Sequence, residues 1–395
     1  MKTFRRLLTT LLALLVLALP APARAQTQGQ SATDIVGFLM LNQAVPTADF
    51  ERDRAAADAA RQTIVNALLV NLASVPLSTS SGGFVYRFNE QLGTAERAAD
   101  TFGPFFVERA LTAGRGHPSF GVTATSSSFD ELDGQKLRDG SLLTIANRFR
   151  DEPAPFDTET LTLRIRSSGM TLFGSVPVTN RFEVGAALPL LRLELDGARV
   201  NVYRSATLAQ ASAAVTATGI GDAAVRGKFT LFDADGFGFA AAAELRLPTG
   251  DSENLLGAGK AGYRVSALGS YEPSRFALHA NLSAAGGGVS NEFSVGAAAL
   301  AAVNQRVTLS AEMLARRVSE LRDLNFVAAP HPTIAGVDTY RLVAGDGGNT
   351  AIQVVTGVKW NVAGTVVLGG HVQWSTTQSG LTAKLTPTIA FEYAF

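Results

Sequence analysis

Gly257-Ala-Gly-Lys-Ala-Gly262 has the G-x-G-x-x-G spacing that cradles a pyrophosphate, because glycines let backbone N–H groups approach the ligand. That chemistry needs a strand before the glycines and a helix after them. Here an alternating strand follows (Tyr263, Val265, Ala267), so these glycines read as small residues at a strand start. Asp233-Ala-Asp-Gly236 begins like a calcium loop but lacks the later acids and the terminal glutamate. It reads as a hairpin turn. Gly250-Asp-Ser-Glu-Asn254 misses the second glycine of a nucleophile elbow. His117, His279, His331 and His371 are far apart and form no H-E-x-x-H pair, so each reads as a loop or wall residue. No Ser/His/Asp set emerges, and no enzyme, metal site or cofactor is read from these residues. The chain has no cysteine, which excludes thiolate metal sites, disulfides and a lipid-modified N-terminus.

The remaining chemistry lies in charged residues set into alternating apolar runs. These are Arg164, Arg166, Arg226, Lys228, Glu244, Arg246, Arg264, Glu312, Arg316, Lys359, Lys384 and Glu392. If the apolar faces meet lipid, all of these residues face a lumen, since a charge on the lipid face costs several kcal/mol near the midplane. There they line a pore and tune it, or fill it with mutual ion pairs. Basic residues outnumber acids in this set, which favours anionic solutes unless acids of an N-terminal helix neutralise them.

The elements that position them are strands. Thr382 to Phe395 puts Leu385, Ile389, Phe391, Tyr393 and Phe395 on one face, with Lys384, Thr386, Thr388 and Glu392 on the other. Such alternation is a strand between two solvents. It recurs over 306–316, 352–361 and 366–375. The pattern predicts strands near 83–89, 102–111, 117–129, 158–174, 181–193, 221–233, 236–248, 259–272, 275–286, 292–303, 305–320, 350–362, 364–375 and 382–395. This is an all-β antiparallel up-and-down transmembrane barrel of about fourteen strands, with twelve as the alternative. The last strand is expected to pair with the first near Phe84. Short turns at 233–236, 272–275, 303–306 and 361–364 alternate with longer polar connections at 194–220, 249–258, 286–291, 321–349 and 376–381. Outer-membrane barrels have this asymmetry.

The N-terminus fits that compartment. Lys2, Arg5 and Arg6 precede an apolar stretch from Leu7 to Leu19, and Ala23-Arg24-Ala25 is an A-x-A cleavage site, so residues 1–25 read as a signal peptide. Without Lys2, Arg5, Arg6 and Arg24, the 34 basic residues become 30 against 34 acidic ones, a net charge of about −4. No basic stripe suggests a nucleic-acid partner. Residues 26–80 differ from the rest. Asp49 to Ala73 has helical spacing through Ile64, Leu68 and Leu72, after an apolar patch from Ile35 to Leu41. This segment is either a periplasmic appendage or a plug, and residues 81–395 are the barrel.

Gly219-Ile-Gly-Asp222 with Gly227-Lys-Phe229, then Leu247-Pro-Thr-Gly-Asp251, then Leu278-His-Ala-Asn-Leu282, resemble the outer-membrane barrel family associated with the MetA pathway of phenol degradation. The likeness spans roughly residues 160–320 and marks strand ends and turns. It implies a porin-like barrel in the bacterial outer membrane, in contact with its lipid and handling small hydrophobic or aromatic molecules. The terminal aromatic strand ending at Phe395 resembles the closing strand of bacterial outer-membrane barrels in general, which implies its recognition by the barrel assembly machinery. The alternative is a non-conducting barrel whose outer loops are the working parts.

Overall fold

The alternating runs after Ser119 form a closed antiparallel ring of twelve strands. The computed structural model describes residues 30–41, 45, 47–73, 83, 85–89, 94–345 and 347–395; the expected signal peptide (1–25) and Phe84 lie outside them. The wall strands are β1 (Ser119–Phe129), β2 (Asp157–Pro177), β3 (Phe182–Tyr203), β4 (Ala224–Ala234), β5 (Phe237–Arg246), β6 (Gly262–Tyr271), β7 (Phe276–Gly287), β8 (Glu292–Asn304), β9 (Val307–Val318), β10 (Asn349–Asn361), β11 (Val366–Ser375) and β12 (Leu385–Ala394). The ring closes by β12 on β1, with Thr388 opposite Thr125 and Ala394 opposite Ser119. Phe395 then donates its N–H to Pro118 O at 3.0 Å.

Twelve, not fourteen, is therefore the wall number. Of the two expected strands that are not in it, Tyr86–Asn89 pairs only with Thr94–Arg97. Residues 102–111 form no ladder at all. The closing partner is accordingly β1 and not a strand near Phe84.

The outward face is apolar and uncovered. Phe229, Leu231, Phe239, Val265, Leu278, Leu309 and Met313 are exposed, and Ile389 is 69% exposed. A closed ring satisfies every backbone group within itself, and an apolar outer band is solvated by acyl chains, so this is an outer-membrane barrel. Aromatic rings border the band. Phe120, Tyr393 and Phe395 cluster with centroids 4.8–5.9 Å apart, and Phe237 lies 4.4 Å from Tyr271. Among the described residues no helix is long and apolar enough to cross a membrane.

At one end the wall strands are joined by the short segments 178–181, 235–236, 272–275, 305–306 and 362–365. This is the periplasmic end. Asp235 and Gly236 both take positive φ (52° and 80°), the geometry of a two-residue hairpin turn and the reason glycine ends that sequence. The long connections gather at the other, extracellular end.

There the wall rises beyond the bilayer. β2 and β3 have 21 and 22 residues, about twice what a crossing needs. The long loop expected over 194–220 is instead the top of this hairpin. It turns at Arg204 and Ser205 and returns as the strand Ala206–Ile220. Its small and charged residues lack the apolar alternation that marks a lipid-facing strand. Three more strands, Leu142–Phe149, Val337–Ala344 and Leu324–Pro330, extend the upper edge of β2.

Helices α1 (Ala32–Leu41) and α2 (Phe50–Ala73) occupy this end. Ser31 and Asp34 cap α1 reciprocally: Asp34 N donates to Ser31 Oγ at 3.1 Å and Ser31 N to Asp34 Oδ2 at 3.0 Å. Ile35 and Leu39 of α1, with Ile64 and Leu68 of α2, are buried in one core with Leu161, Leu163, Ile165, Leu193 and Leu195 of β2 and β3. The upper wall thus inverts the polarity of the lower wall. Apolar side chains point inward onto helices, and polar ones point out into water.

Candidate functional site

The lumen is occupied by the chain's own N-terminal residues. In the periplasmic half, residues 99–113 run as irregular backbone through the ring. Such backbone needs partners for its polar groups, and the wall supplies them from side chains. The Glu312 carboxylate accepts N–H bonds from Phe105 (2.5 Å), Phe106 (2.9 Å) and Val107 (2.9 Å). Ala110 N donates to Ser270 Oγ at 2.8 Å, and Ala113 N to Glu183 Oε2 at 3.0 Å. From the wall, Lys359 donates to Pro104 O at 3.1 Å, Lys228 to Leu111 O at 3.0 Å and Thr230 to Ala110 O at 2.8 Å. Charges are matched too. Glu108 of the segment pairs with Arg226 and with Lys228, and Arg109 with Glu272 at 3.0 Å.

His279 and Asn281 belong to this mount. His279 Nδ1 lies 2.8 Å from Ser270 Oγ and orients the hydroxyl that receives Ala110. Asn281 turns its amide nitrogen to Glu108 O (3.0 Å) and its oxygen to Glu108 N (2.5 Å). The Ser270–His279 pair is thus a Ser/His contact of the right type for nucleophilic chemistry, but it is buried and committed to holding the segment.

The outer closure has its own mount. The Asp222 carboxylate accepts N–H bonds from Gly250 (3.0 Å) and Ala258 (2.7 Å), while Thr249 Oγ1 donates to Gly221 O at 2.7 Å. This draws 249–258 over the rim. A Cβ on Gly250 would fall 2.6 Å from Leu256 O, and one on Gly257 2.6 Å from Gly250 Cα, so the close approach requires both glycines. The folded loop then receives α1. Thr33 N donates to Glu253 O at 3.0 Å and Ala32 N to Asn254 Oδ1 at 3.3 Å. On the opposite side of the helical pair, Arg341 binds Asp53 at 2.8 Å and Arg199 donates to Leu39 O at 2.8 Å. Asn71, near the end of α2, donates to Leu381 O at 3.3 Å.

Between the two closures a chamber of about 150 Å³ remains, with Asn71 at one end and Phe106 and His371 at the other.

The twelve charged residues expected in the lumen divide. Arg226, Lys228, Glu244, Arg246, Arg264, Glu312, Arg316, Lys359 and Glu392 point inward. Several pair along the wall: Arg246 with Glu244 (2.8 Å), and Arg264 and Arg316 with Glu292 (3.1 and 3.8 Å). Gly83 lies against Glu392. Arg164 and Arg166 instead face outward, into water above the membrane, with Arg164 paired to Asp196. The inversion of the upper wall puts them there, because Leu163 and Ile165 take the inward positions against the helices. Lys384 is also outside the lumen, exposed at the outer rim beside Glu131 at 3.2 Å. The acids that offset Arg226 and Lys228 are Glu108 of the threaded segment and, for Lys228, also Glu183 of the wall, not an acid of the helix.

In the outer loops, Asp133 takes positive φ and gathers three connections. It accepts from Gly380 N (2.7 Å), Leu324 N (3.0 Å) and Asn349 Nδ2 (3.1 Å). Burial raises its carboxyl above the usual aspartate range, against the pull of those donors. Among the described residues no group of three or more acids and histidines is placed to hold a metal.

No family model matches the chain, the phenol-degradation family included, and no curated protein matches it. Solved structures do. An outer membrane channel from Pseudomonas putida F1 aligns at TM-score 0.48 and 12% identity, covering 72% of this chain and 98% of that one. The KdgM porin aligns at 0.37 and 7%, over 68% and 99%. The translocator domain of the autotransporter NalP from Neisseria meningitidis aligns at 0.36 and 11%, over 71% and 89%. None of these three likenesses is close enough to carry residues or solutes across.

Proposed function

We propose that the chain is a gated outer-membrane channel for small molecules, closed by its own residues 99–113 and by its helical pair. One observation carries this reading. The backbone of the threaded segment is bonded by single polar side chains of the wall, not by a strand ladder, beside apolar packing of Val107 and Ala110, and such bonds exchange for water when the segment moves. The family resemblance supports hydrophobic or aromatic solutes. The terminal strand ending at Phe395 fits recognition by the barrel assembly machinery. Planar-bilayer conductance and solute uptake, measured with and without residues 26–80 and, for both, with Glu312→Ala to release 99–113, test the reading. Silence of every form in both assays overturns it.

A second reading, a non-conducting surface-interaction barrel, is supported by closure at both ends and by the outermost strand. Leu324–Pro330 is an edge strand with Phe326 and Val327 exposed, and such edges pair with partners. Binding of a surface partner that is lost on shortening 321–349, without any conductance, would select this reading.

A further inference from the structure

One side of the chamber between the closures is hydroxyl and amide, facing apolar Phe129, Pro189, Leu191 and Leu381. Thr125 and Thr388 hydroxyls meet at 2.9 Å across the β1–β12 seam, Ser127 and Thr386 at 3.1 Å, and Gln353 and Gln373 line the same space. The charged residues at its upper edge are committed elsewhere: Asp222 to two backbone N–H groups, Arg246 to Glu244 and Arg316 to Glu292. The chamber therefore offers hydrogen bonds without demanding a charge. Its floor is unusual. His371 is only 6% exposed and neither ring nitrogen has a hydrogen-bond partner. Its ring is packed against Phe105 (4.4 Å) and Phe106 (5.0 Å), the two residues whose N–H groups are held by Glu312. A buried imidazole left unbonded is poised to gain a partner.

We propose that this chamber binds an uncharged, hydroxyl-bearing ring compound of about six to eight heavy atoms, since a cavity of this volume takes a benzene-sized molecule. Its hydroxyl bonds to His371 by displacing the Phe106 ring, so that solute binding loosens the threaded segment. The proposal rests on the channel reading and adds the solute class and the trigger to it. A ring without hydroxyls gains nothing from the Thr/Gln wall. A carboxylate loses more hydration than the chamber returns.

The test is calorimetric titration of the detergent-solubilised full chain with cyclohexane-1,2-diol, and with cyclohexanecarboxylate for comparison. His371→Phe keeps the ring packing and removes the nitrogens. Gln373→Leu is the second variant, in case the first does not fold, and heat-modifiable gel mobility reports folding for both. The expected result is saturable diol binding, weakened about tenfold or more in either variant, and no saturation with the carboxylate. In ¹⁵N-histidine spectra the His371 nitrogens should shift with the diol. Equal diol affinity in wild type and both variants, or carboxylate binding as tight as diol binding, overturns the proposal. Diol binding without conductance in any form would instead strike the channel reading and leave the site standing.

Discussion

Replacing Glu312 by alanine isolates the polar mount of the threaded segment. The substitution leaves three N–H groups without their acceptor, those of Phe105 and Val107 buried and that of Phe106 half-buried. Each orphaned donor costs about 1–3 kcal/mol. Water from the adjacent chamber relieves part of this, so the low end applies to each, about 3 kcal/mol together. At 1.4 kcal/mol per factor of ten, that raises the released population roughly 100-fold. Lys359 on Pro104 O and Lys228 on Leu111 O still hold the two flanks, so the barrel itself should stay folded. The chain lacks cysteine, which makes a single-site reporter clean. Val107 is fully buried, so a Val107→Cys background reacts with a maleimide only when the segment leaves. Labelling should be roughly 100-fold faster with Glu312→Ala, and Glu312→Gln, which keeps one oxygen, should fall between. A change below about threefold in a folded barrel would refute the claim that side-chain acceptors hold this segment.

Asp222→Ala should free 249–258 from the rim and undock α1, and is checked by faster proteolysis within that loop while the lower barrel stays resistant; it removes two hydrogen bonds to a charged group, about 1.5–3 kcal/mol each. Arg109→Met leaves the buried Glu272 carboxylate uncompensated and should destabilise by about 3–5 kcal/mol, read as a lower temperature of gel-mobility conversion, with partial recovery in Arg109→Met/Glu272→Gln. Asp133 has a folded-state pKa raised by burial, so its contribution to stability is full below the free aspartate value of about 3.9 and is lost as pH rises through the folded value. Hydrogen exchange in 378–382 should therefore be slower, after correction for intrinsic rates, at about pH 4 than at pH 7, and Asp133→Asn should flatten that difference.

What was legible in the sequence follows from what each residue faces. β12 could be read from spacing because its sides meet lipid and a polar lumen, and nothing else produces that period. Residues 99–113 could not. Their apolar content resembles a strand, but their backbone partners are Glu312, Ser270 and Glu183, some 70 to 207 positions away, and such pairing leaves no local pattern. Arg164 and Arg166 depart from the expected lumen position for a related reason. Alternation shows two unlike faces but not which one looks inward, and above the membrane the answer depends on where α1 and α2 dock. The helical segment itself was legible from Ile64 and Leu68. Its location was not, because the apolar stripe on Leu161, Leu163 and Ile165 that receives it looks the same as a lipid-facing one.

The motifs that looked like turns and strand ends now share a task. Asp222 and Thr249 fold the outer loop inward and give α1 its platform. His279 and Asn281 hold Ala110 and Glu108 of the threaded segment, through Ser270 in the first case. None of these contacts is needed to close a twelve-strand ring, whose ladder is complete without them. Each instead costs the wall a polar group directed into the lumen. Residues of that kind shape a fold around its occupant, so the occupant is part of the working barrel. If the lumen opens as proposed, the strength of these few polar contacts should decide it, more than any rearrangement of the wall.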